Sequence, residues 1–348
     1  MTERRAAKDF RAFPDVASRA LGGSVMWCND ESFADVHALL DPRPAVHDAA
    51  AFGARGKLYD GWETRRRREP GDDVVLVRLA APTLVHGVNV DTSFFRGNYP
   101  PQASIQVTAV LGYPTVAALE QAVWTTVVDH ADLEGDSYNV LPIEGEPVLA
   151  THVRLVIHPD GGVARLRVHG EVVPDPTFLG GRIDLASTLH GGRVLACSNL
   201  FYSSPANVLS PGIATVMSDG WETSRRRDDA NDWLTVSLGA PGTVREVVID
   251  TTRFVHNAPG WARLTDADSG AELLPRTPLI PDAEQHFTVR HAATVAAVRL
   301  DIYPDGGLSR LRVLGDVAEA DRPRLASRWL DLLPADQVPV VDPGGFFA

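Results

Sequence analysis

The sequence predicts an all-β protein: two tandem, homologous jelly-roll β-sandwich domains followed by a short C-terminal helix and tail. Three observations carry that prediction. The chain repeats itself once at the scale of a whole domain, its apolar residues alternate with period two, and its 348 residues include 29 Gly and 25 Pro to make turns. The length agrees, because a single core rarely serves so long a chain.

The repeat is read from four strings that return in the same order. Asp60-Gly61-Trp62-Glu63-Thr64-Arg65-Arg66-Arg67-Arg68 returns as Asp219-Gly220-Trp221-Glu222-Thr223-Ser224-Arg225-Arg226-Arg227, identical at 8 of 9 positions. Val90-Asp91-Thr92 and Asn98 return at the same displacement as Ile249-Asp250-Thr251 and Asn257. The segment 153–170, with His158-Pro159-Asp160-Gly161-Gly162 and Arg165-Leu166-Arg167, returns as 298–315. Asp15 and Gly22-Gly23 return as Asp184 and Gly191-Gly192. A unit of this size is a domain, not a solenoid repeat. The expected organisation is a first repeat over 15–173, a Pro- and Gly-bearing linker over 174–183, a second repeat over 184–317, and a C-terminal helix and tail over 318–348.

Within the first repeat, 73–79, 103–110, 124–128 and 165–169 alternate or are β-branched and are expected as strands; in the second, so are 233–238, 246–250 and 286–290. Pro159-Asp160-Gly161-Gly162 and Pro304-Asp305-Gly306-Gly307 have the residues of tight reversals, Pro fixing one torsion and Gly permitting positive φ. Helical patterning is limited to short pieces such as 33–40 and to an amphipathic stretch at 324–333. Many short strands with frequent turns give an antiparallel sandwich. The Arg-Leu-Arg-Val strand that closes each repeat resembles the last strand of galactose-binding-like modules.

Composition removes several classes of function. A net charge of −12 argues against nucleic acid as partner, since that binding rests on clustered positive charge. The charged first ten residues do not read as a secretory signal, and no apolar run has the length of a bilayer span. Cys28 and Cys197 hold matched places in the two repeats, which suggests two buried small side chains and no bridge; with no Asn-x-Ser/Thr sequon, the expected compartment is the cytoplasm. No Walker loop, His-Glu-x-x-His, Cys-x-x-Cys or Gly-x-Ser-x-Gly occurs. The eleven His include no pair at metal-ligand spacing on one element, so cofactor and metal are left open, a divalent ion from distant residues included.

The polar candidates lie at strand ends. Arg66 and Arg67, returning as Arg225 and Arg226, suit an anion pocket because a guanidinium grips a carboxylate through two parallel hydrogen bonds; the plainer alternative is solvated arginines beside a paired Glu63. Trp62 and Trp221 read as core or as pocket wall. Asp91, Asp250, Asn98 and Asn257 are ligand candidates or turn caps, and for Asp160 and Asp305 the turn reading is preferred. His158 becomes Tyr303 in the second repeat, so it acts in the first alone or is a partly buried structural side chain.

Together these strings resemble the allantoicase family: Asp-Gly-Trp-Glu-Thr-Arg-Arg-Arg, Asp-Thr-x-x-Phe-x-x-Asn and Tyr/His-Pro-Asp-Gly-Gly-x-x-Arg-Leu-Arg occur twice, over nearly the whole chain from Asp15 to Gly315. The resemblance implies two jelly-roll domains, homo-oligomeric assembly, and a hydrolase acting on a C–N bond that converts allantoate to ureidoglycolate and urea in purine degradation. One departure is that Phe95-Arg96-Gly97-Asn98 reads Phe254-Val255-His256-Asn257, which would make the second copy the degenerate one if the site needs that Gly for close backbone approach. On this reading Arg66 or Arg67 binds the substrate carboxylate, Asp91 and Glu63 handle protons and Asn98 holds a ureido group; Arg225, Arg226, Asp250, Glu222 and Asn257 are their counterparts.

The rival is a non-catalytic double β-sandwich that binds small molecules or carbohydrate, with Trp62 and Trp221 stacking on sugar rings. Charged residues dominate the repeated strings, which weighs against it. A purely structural dimerisation protein would leave the duplicated Arg and Asp strings unexplained.

Overall fold

The computed structural model describes residues 9–54, 56–290 and 293–348. The chain divides into two compact units: residues through Val173 together with Leu332–Val341, and Pro174–Asp331 together with Asp342–Ala348.

Each unit is organised by one strand of 19 residues, Asp73–Asp91 in the first and Asp232–Asp250 in the second. The early part of Asp73–Asp91 pairs antiparallel with Ser24–Cys28 on one side and with Val148–His158 on the other; Gln102–Thr108 and Thr125–Asp132 extend the sheet beyond. Its later part pairs with Arg165–Val172 and with Tyr138–Pro142. Between the parts the register shifts, from Arg78 to Thr83. Pro82 lies in that interval, and a proline there cannot donate to a ladder, so the strand changes neighbours where pairing is already interrupted. The second unit repeats this with a shift between Ser237 and Gly242 around Pro241. The sequence reading of 233–238 and 246–250 as separate strands is therefore corrected: the proline marks a change of partners within one strand, not a turn.

Period-two alternation does the burying. Val75, Val77, Val85, Val88 and Val90 face inward and pack with Ile105, Leu155, Leu166 and Trp62; Leu234, Val236, Val247 and Ile249 do the same with Leu264, Leu300, Leu311 and Trp221. The helical patterning at 33–40 resolves to a 3-10 turn, Val36–Leu40, started by the Asp35 carboxylate accepting from the His37 N–H. The C-terminal helix is Arg322–Leu332, with Leu325 and Trp329 buried. Cys28 and Cys197 are unbridged but only half-buried, a correction to the expectation of full burial. Burial, followed by the nearby Glu31 and Asp30 charges, pushes the Cys28 thiol up to about 11. Among the described residues no helix is long and apolar enough to cross a membrane.

Candidate active site

In each unit a two-residue strand lies where the duplicated string begins. Trp62–Glu63 pairs with Gly162–Val163, and Trp221–Glu222 with Gly307–Leu308. Strand alternation sends the Trp inward and the Glu to the opposite face. Trp62 is fully buried and its indole N–H donates to the Asp30 carbonyl at 2.6 Å, which fixes the strand and with it Glu63. Thr64 completes the clasp: the Gly161 N–H donates to its Oγ1 at 3.0 Å, and the Thr64 N–H donates to the Gly161 carbonyl at 3.1 Å.

The glycines of Pro-Asp-Gly-Gly do more than turn the chain. Gly161 has φ 144°, and a Cβ there would lie 2.6 Å from the Pro100 nitrogen; a Cβ on Gly162 would lie 2.0 Å from the Phe95 ring. Only their bare backbone lets the hairpin lie against residues 95–100. That contact delivers Asn98, whose carbonyl accepts from the Gly162 N–H at 2.7 Å and whose Nδ2 donates to Glu63 Oε1 at 2.7 Å. Glu63 Oε2 is buried with no partner among the described residues. Burial raises the Glu63 carboxyl above its ordinary 4.5, against the opposing pull of the Asn98 hydrogen bond. The Phe33 N–H donates to the Glu63 carbonyl at 3.1 Å, and the loop carrying Phe33, residues 29–35, lines an open cavity of about 550 Å³ beside this strand.

The structure sorts the arginines. Arg65 pairs with Asp30 at 3.2 Å. Arg67 is committed: its Nε donates to the buried Asp73 at 2.9 Å, its Nη2 to the Asp72 carbonyl at 2.9 Å, and its backbone N–H to Asp160 at 2.8 Å. Arg66 is exposed and has no ion pair or hydrogen bond among the described residues.

The second unit reproduces the frame. Asn257 Nδ2 donates to Glu222 Oε1 at 2.6 Å, Trp221 is buried with its indole N–H on the Asn199 carbonyl at 3.0 Å, and Gly306 clasps Thr223. Arg226 is committed to Asp232 and Asp228, its backbone N–H to Asp305 at 2.6 Å, while Arg225 is exposed and unpaired among the described residues. The Asn257 amide also reaches the Met217 sulfur at 3.7 Å.

Other sequence candidates lie elsewhere. Asp91 and Asp250 are buried, and each accepts from the backbone N–H two residues on, Ser93 and Thr252, at 2.8 Å, as turn caps do; neither is hydrogen-bonded to the Glu–Asn pair. His158 is partly buried between Asp72, at 3.0 Å from Nδ1, and Ser104, at 2.9 Å from Nε2, and stacks on His130 at 4.1 Å. Asp160 and Asp305 are more than turn residues, since each carboxylate holds the N–H of the committed arginine. The loss of Gly97 to His256 has no steric meaning: a Cβ on Gly97 meets nothing within 4 Å. Arg165 and Arg310 went unmarked by the sequence reading. Both are buried, and they hold the start of the Asp-Gly-Trp-Glu string, Arg165 through Asp60 Oδ2 at 2.8 Å and Arg310 through the Asp219 carbonyl at 2.7 Å. Their signal was the duplicated Arg-Leu-Arg, but the first Arg of each lies on the face opposite the buried Leu166 and Val168, or Leu311 and Val313, so alternation alone does not mark it as buried. Among the described residues no group of three or more His, Cys, Asp or Glu is placed to hold a metal ion.

Known proteins share this architecture. Residues 14–173 and 183–318 each match the family model described as the allantoicase repeat. The chain is 50% identical over 322 residues to a probable allantoicase of Nocardia farcinica, covering 90% of this chain and 98% of that one. It is 43% identical over 347 residues to a probable allantoicase of Streptomyces coelicolor, covering 94% and 92%. The crystal structure of allantoicase from Saccharomyces cerevisiae superposes with a TM-score of 0.78 at 32% identity, covering 87% of this chain and 92% of that one. Both repeats match and the likeness runs along nearly the whole length: the chain belongs to the allantoicase family.

Proposed function

We propose that the chain hydrolyses allantoate to ureidoglycolate and urea in purine degradation, and that the first repeat carries the reaction at Glu63 and Asn98. The observation that supports this site is the Glu63 carboxyl: one oxygen oriented by Asn98, the other buried, unpartnered and raised toward the protonated form. A group in that state suits a general acid. Water's oxygen bonds to the central carbon of allantoate while the C–N bond to one ureido group breaks. Glu63 gives its proton to the departing nitrogen, and the carboxylate it becomes takes the proton released by water, which restores the starting state. Asn98, fixed by its backbone contact to Gly162, keeps the carboxyl in one orientation. Arg66, exposed and without a partner among the described residues, binds the substrate carboxylate; Arg67, spent on Asp73, holds the string in shape. Trp62 positions Glu63 from beneath. The turn-cap geometry of Asp91 favours a supporting role over proton transfer.

The functional repeats are taken as 15–173 and 184–317, joined at 174–183. Unbridged cysteines in matched places support a reducing compartment, the cytoplasm.

The test is urea and ureidoglycolate release from allantoate by the purified chain, before and after chelator treatment. Appearance of both products supports the reaction, and chelator sensitivity would redirect the site search to metal ligands. A folded sample that releases neither would leave the ligand-binding sandwich pair as the better reading.

A further inference from the structure

His158 and its neighbours form a titratable cluster that the chemistry assigned to Glu63 does not use. The His158 Nδ1 meets the Asp72 carboxylate at 3.0 Å, its Nε2 meets Ser104 Oγ at 2.9 Å, and its ring stacks on His130 at 4.1 Å. His130 has φ 44°, in the left-handed region, and from there its N–H donates to Ser104 Oγ at 3.0 Å. Its Nδ1 meets the Asp129 carboxylate at 2.7 Å. The Ser–His–Asp order of contacts does not make Ser104 a nucleophile, since that residue is 4% exposed and its oxygen already accepts from His130.

The cluster closes a circuit around the string that carries Glu63. Arg67 joins the two segments that His158 and Asp72 join: its backbone N–H donates to Asp160, and its guanidinium to the Asp72 carbonyl and the Asp73 carboxylate. The Asp73 N–H donates to the Pro159 carbonyl at 3.1 Å. The Pro159–Gly162 turn, which begins next to His158, carries Gly161 to Thr64 and Gly162 to both Asn98 and the Glu63 strand. His158 is thus tied through one turn to both halves of the Glu63–Asn98 pair.

The bonds fit a neutral imidazole. With its oxygen accepting from His130, Ser104 gives its own proton to Nε2 at 2.9 Å in preference to Asp129 at 3.4 Å, and His158 Nδ1–H donates to Asp72. A proton added at Nε2 displaces the hydroxyl toward Asp129, and charge on His130 as well sets two cations face to face. The His130 hydrogen bond holds Asp129 below its ordinary 3.8, so that carboxylate stays anionic while the imidazoles charge. The remaining charges on this side are Asp132, reached through Gln102 at 2.7 Å, and Arg67 with Asp73 behind Asp72.

The second repeat keeps the stack and lacks its titration. Sheet register puts Arg276 at the place of His130, Tyr303 at that of His158 and Arg263 at that of Ser104, and Arg276 lies over the Tyr303 ring at 4.2 Å. Asp72 becomes Asn231, which donates to Asp301 at 3.1 Å. A permanent cation on a neutral ring stands where the first repeat has two imidazoles.

We propose that His158 is a positioning residue for the reaction assigned to Glu63: neutral, it braces the Pro159–Gly162 turn against Asp72, and charging of the His158–His130 stack releases that turn. The role rests on the Glu63 reading; the brace itself does not.

Two measurements on the full chain test it. Hydrogen exchange, corrected for the intrinsic pH dependence, should show the Gly161 and Gly162 amides losing about tenfold in protection from pH 7.5 to 5.5, while Gly306 and Gly307 change less than about twofold. Urea release from allantoate should lose about fivefold in kcat over the same range with KM within about twofold, whereas a general acid at Glu63 loses activity toward high pH. His158→Gln, which can donate to Asp72 and accept from Ser104 without charging, should keep at least about a third of kcat at pH 7.5 and lose the low-pH fall in both measurements. His158→Ala should lower kcat about tenfold at pH 7.5 with little change in KM. If the Ala variant fails to fold, the exchange comparison and the Gln variant decide. Equal exchange behaviour in the two turns overturns the proposal, and so does a low-pH fall that survives in His158→Gln. A wild type that releases no urea while its first turn alone loosens in acid would sink the Glu63 reading and keep the brace.

Discussion

The two repeats keep one skeleton and differ at the rim. Both bury a Trp beneath a Glu, place an Asn on that Glu at 2.7 and 2.6 Å, and spend one arginine of the string, Arg67 or Arg226, on a buried Asp. What differs is held outside the clasp: Glu31 against Leu200, Lys57 against Val216, Arg96 against Val255, His158 with its Asp72 against Tyr303 under Arg276 at 4.2 Å. Interior positions are constrained by close packing, where a single methylene is felt, while rim positions are free to follow whatever covers them. Duplication therefore preserved the device that presents the carboxyl and left its surroundings to diverge.

The largest expected effect tests whether that divergence separates the roles. Glu63→Gln, which keeps the Asn98 partner but removes the transferable proton, should lower turnover by about 10²–10⁴, whereas Glu222→Gln should change it less than about twofold. Equal losses in steady-state kinetics would show two equivalent active sites and end the distinction drawn between the repeats.

A second pair sharpens what is shared. Trp62→Ala and Trp221→Ala each empty a fully buried position, and each should cost about 3–5 kcal/mol in denaturant unfolding. Only Trp62→Ala should also lower the rate of the folded fraction. If one substitution were nearly neutral to stability, the frames would not be equivalent.

Acidity offers a smaller effect with a definite sign. Burial raises the folded-state Glu63 carboxyl above 4.5, so the folded protein holds this proton longer than the unfolded chain. Its contribution to stability is fully present below pH 4.5 and is lost as pH rises from there through the raised folded value. Glu63→Gln should remove that part of the slope when Tm is followed against pH, and an unchanged slope would mean that the carboxyl is not held in the protonated form. The smallest effect concerns Gly97→His, which copies the second repeat; with open space at that position it should alter stability by no more than about 0.5 kcal/mol. A larger loss would restore the view that this glycine marks the more demanding copy.

Much of this was legible beforehand, because a duplicated string shows which residues a fold keeps twice. Trp62, Glu63, Asn98 and the two Gly of Pro-Asp-Gly-Gly were marked in this way, but their mutual contacts were not. Glu63 and Asn98 are 35 residues apart, and only the fit of bare glycine backbone against Phe95 and Pro100 brings them together. Arg66 and Arg67 read alike in the sequence. Their fates part because the segment following Trp62–Glu63 turns Arg67 toward buried Asp73 and leaves Arg66 at the surface. The long strand through Pro82 and Pro241 was hidden for a related reason: proline reads as a break, and whether it ends a strand or changes its partners depends on neighbours distant in sequence.

By itself, then, the sequence determined the number of repeats, the β class and the family, since periodicity and duplicated strings are local properties of the chain. Tertiary structure decided which carboxyl is left with an unpartnered buried oxygen, which arginine stays free and which rim is apolar, because burial and hydrogen-bond partners are set by segments that meet only when the chain folds.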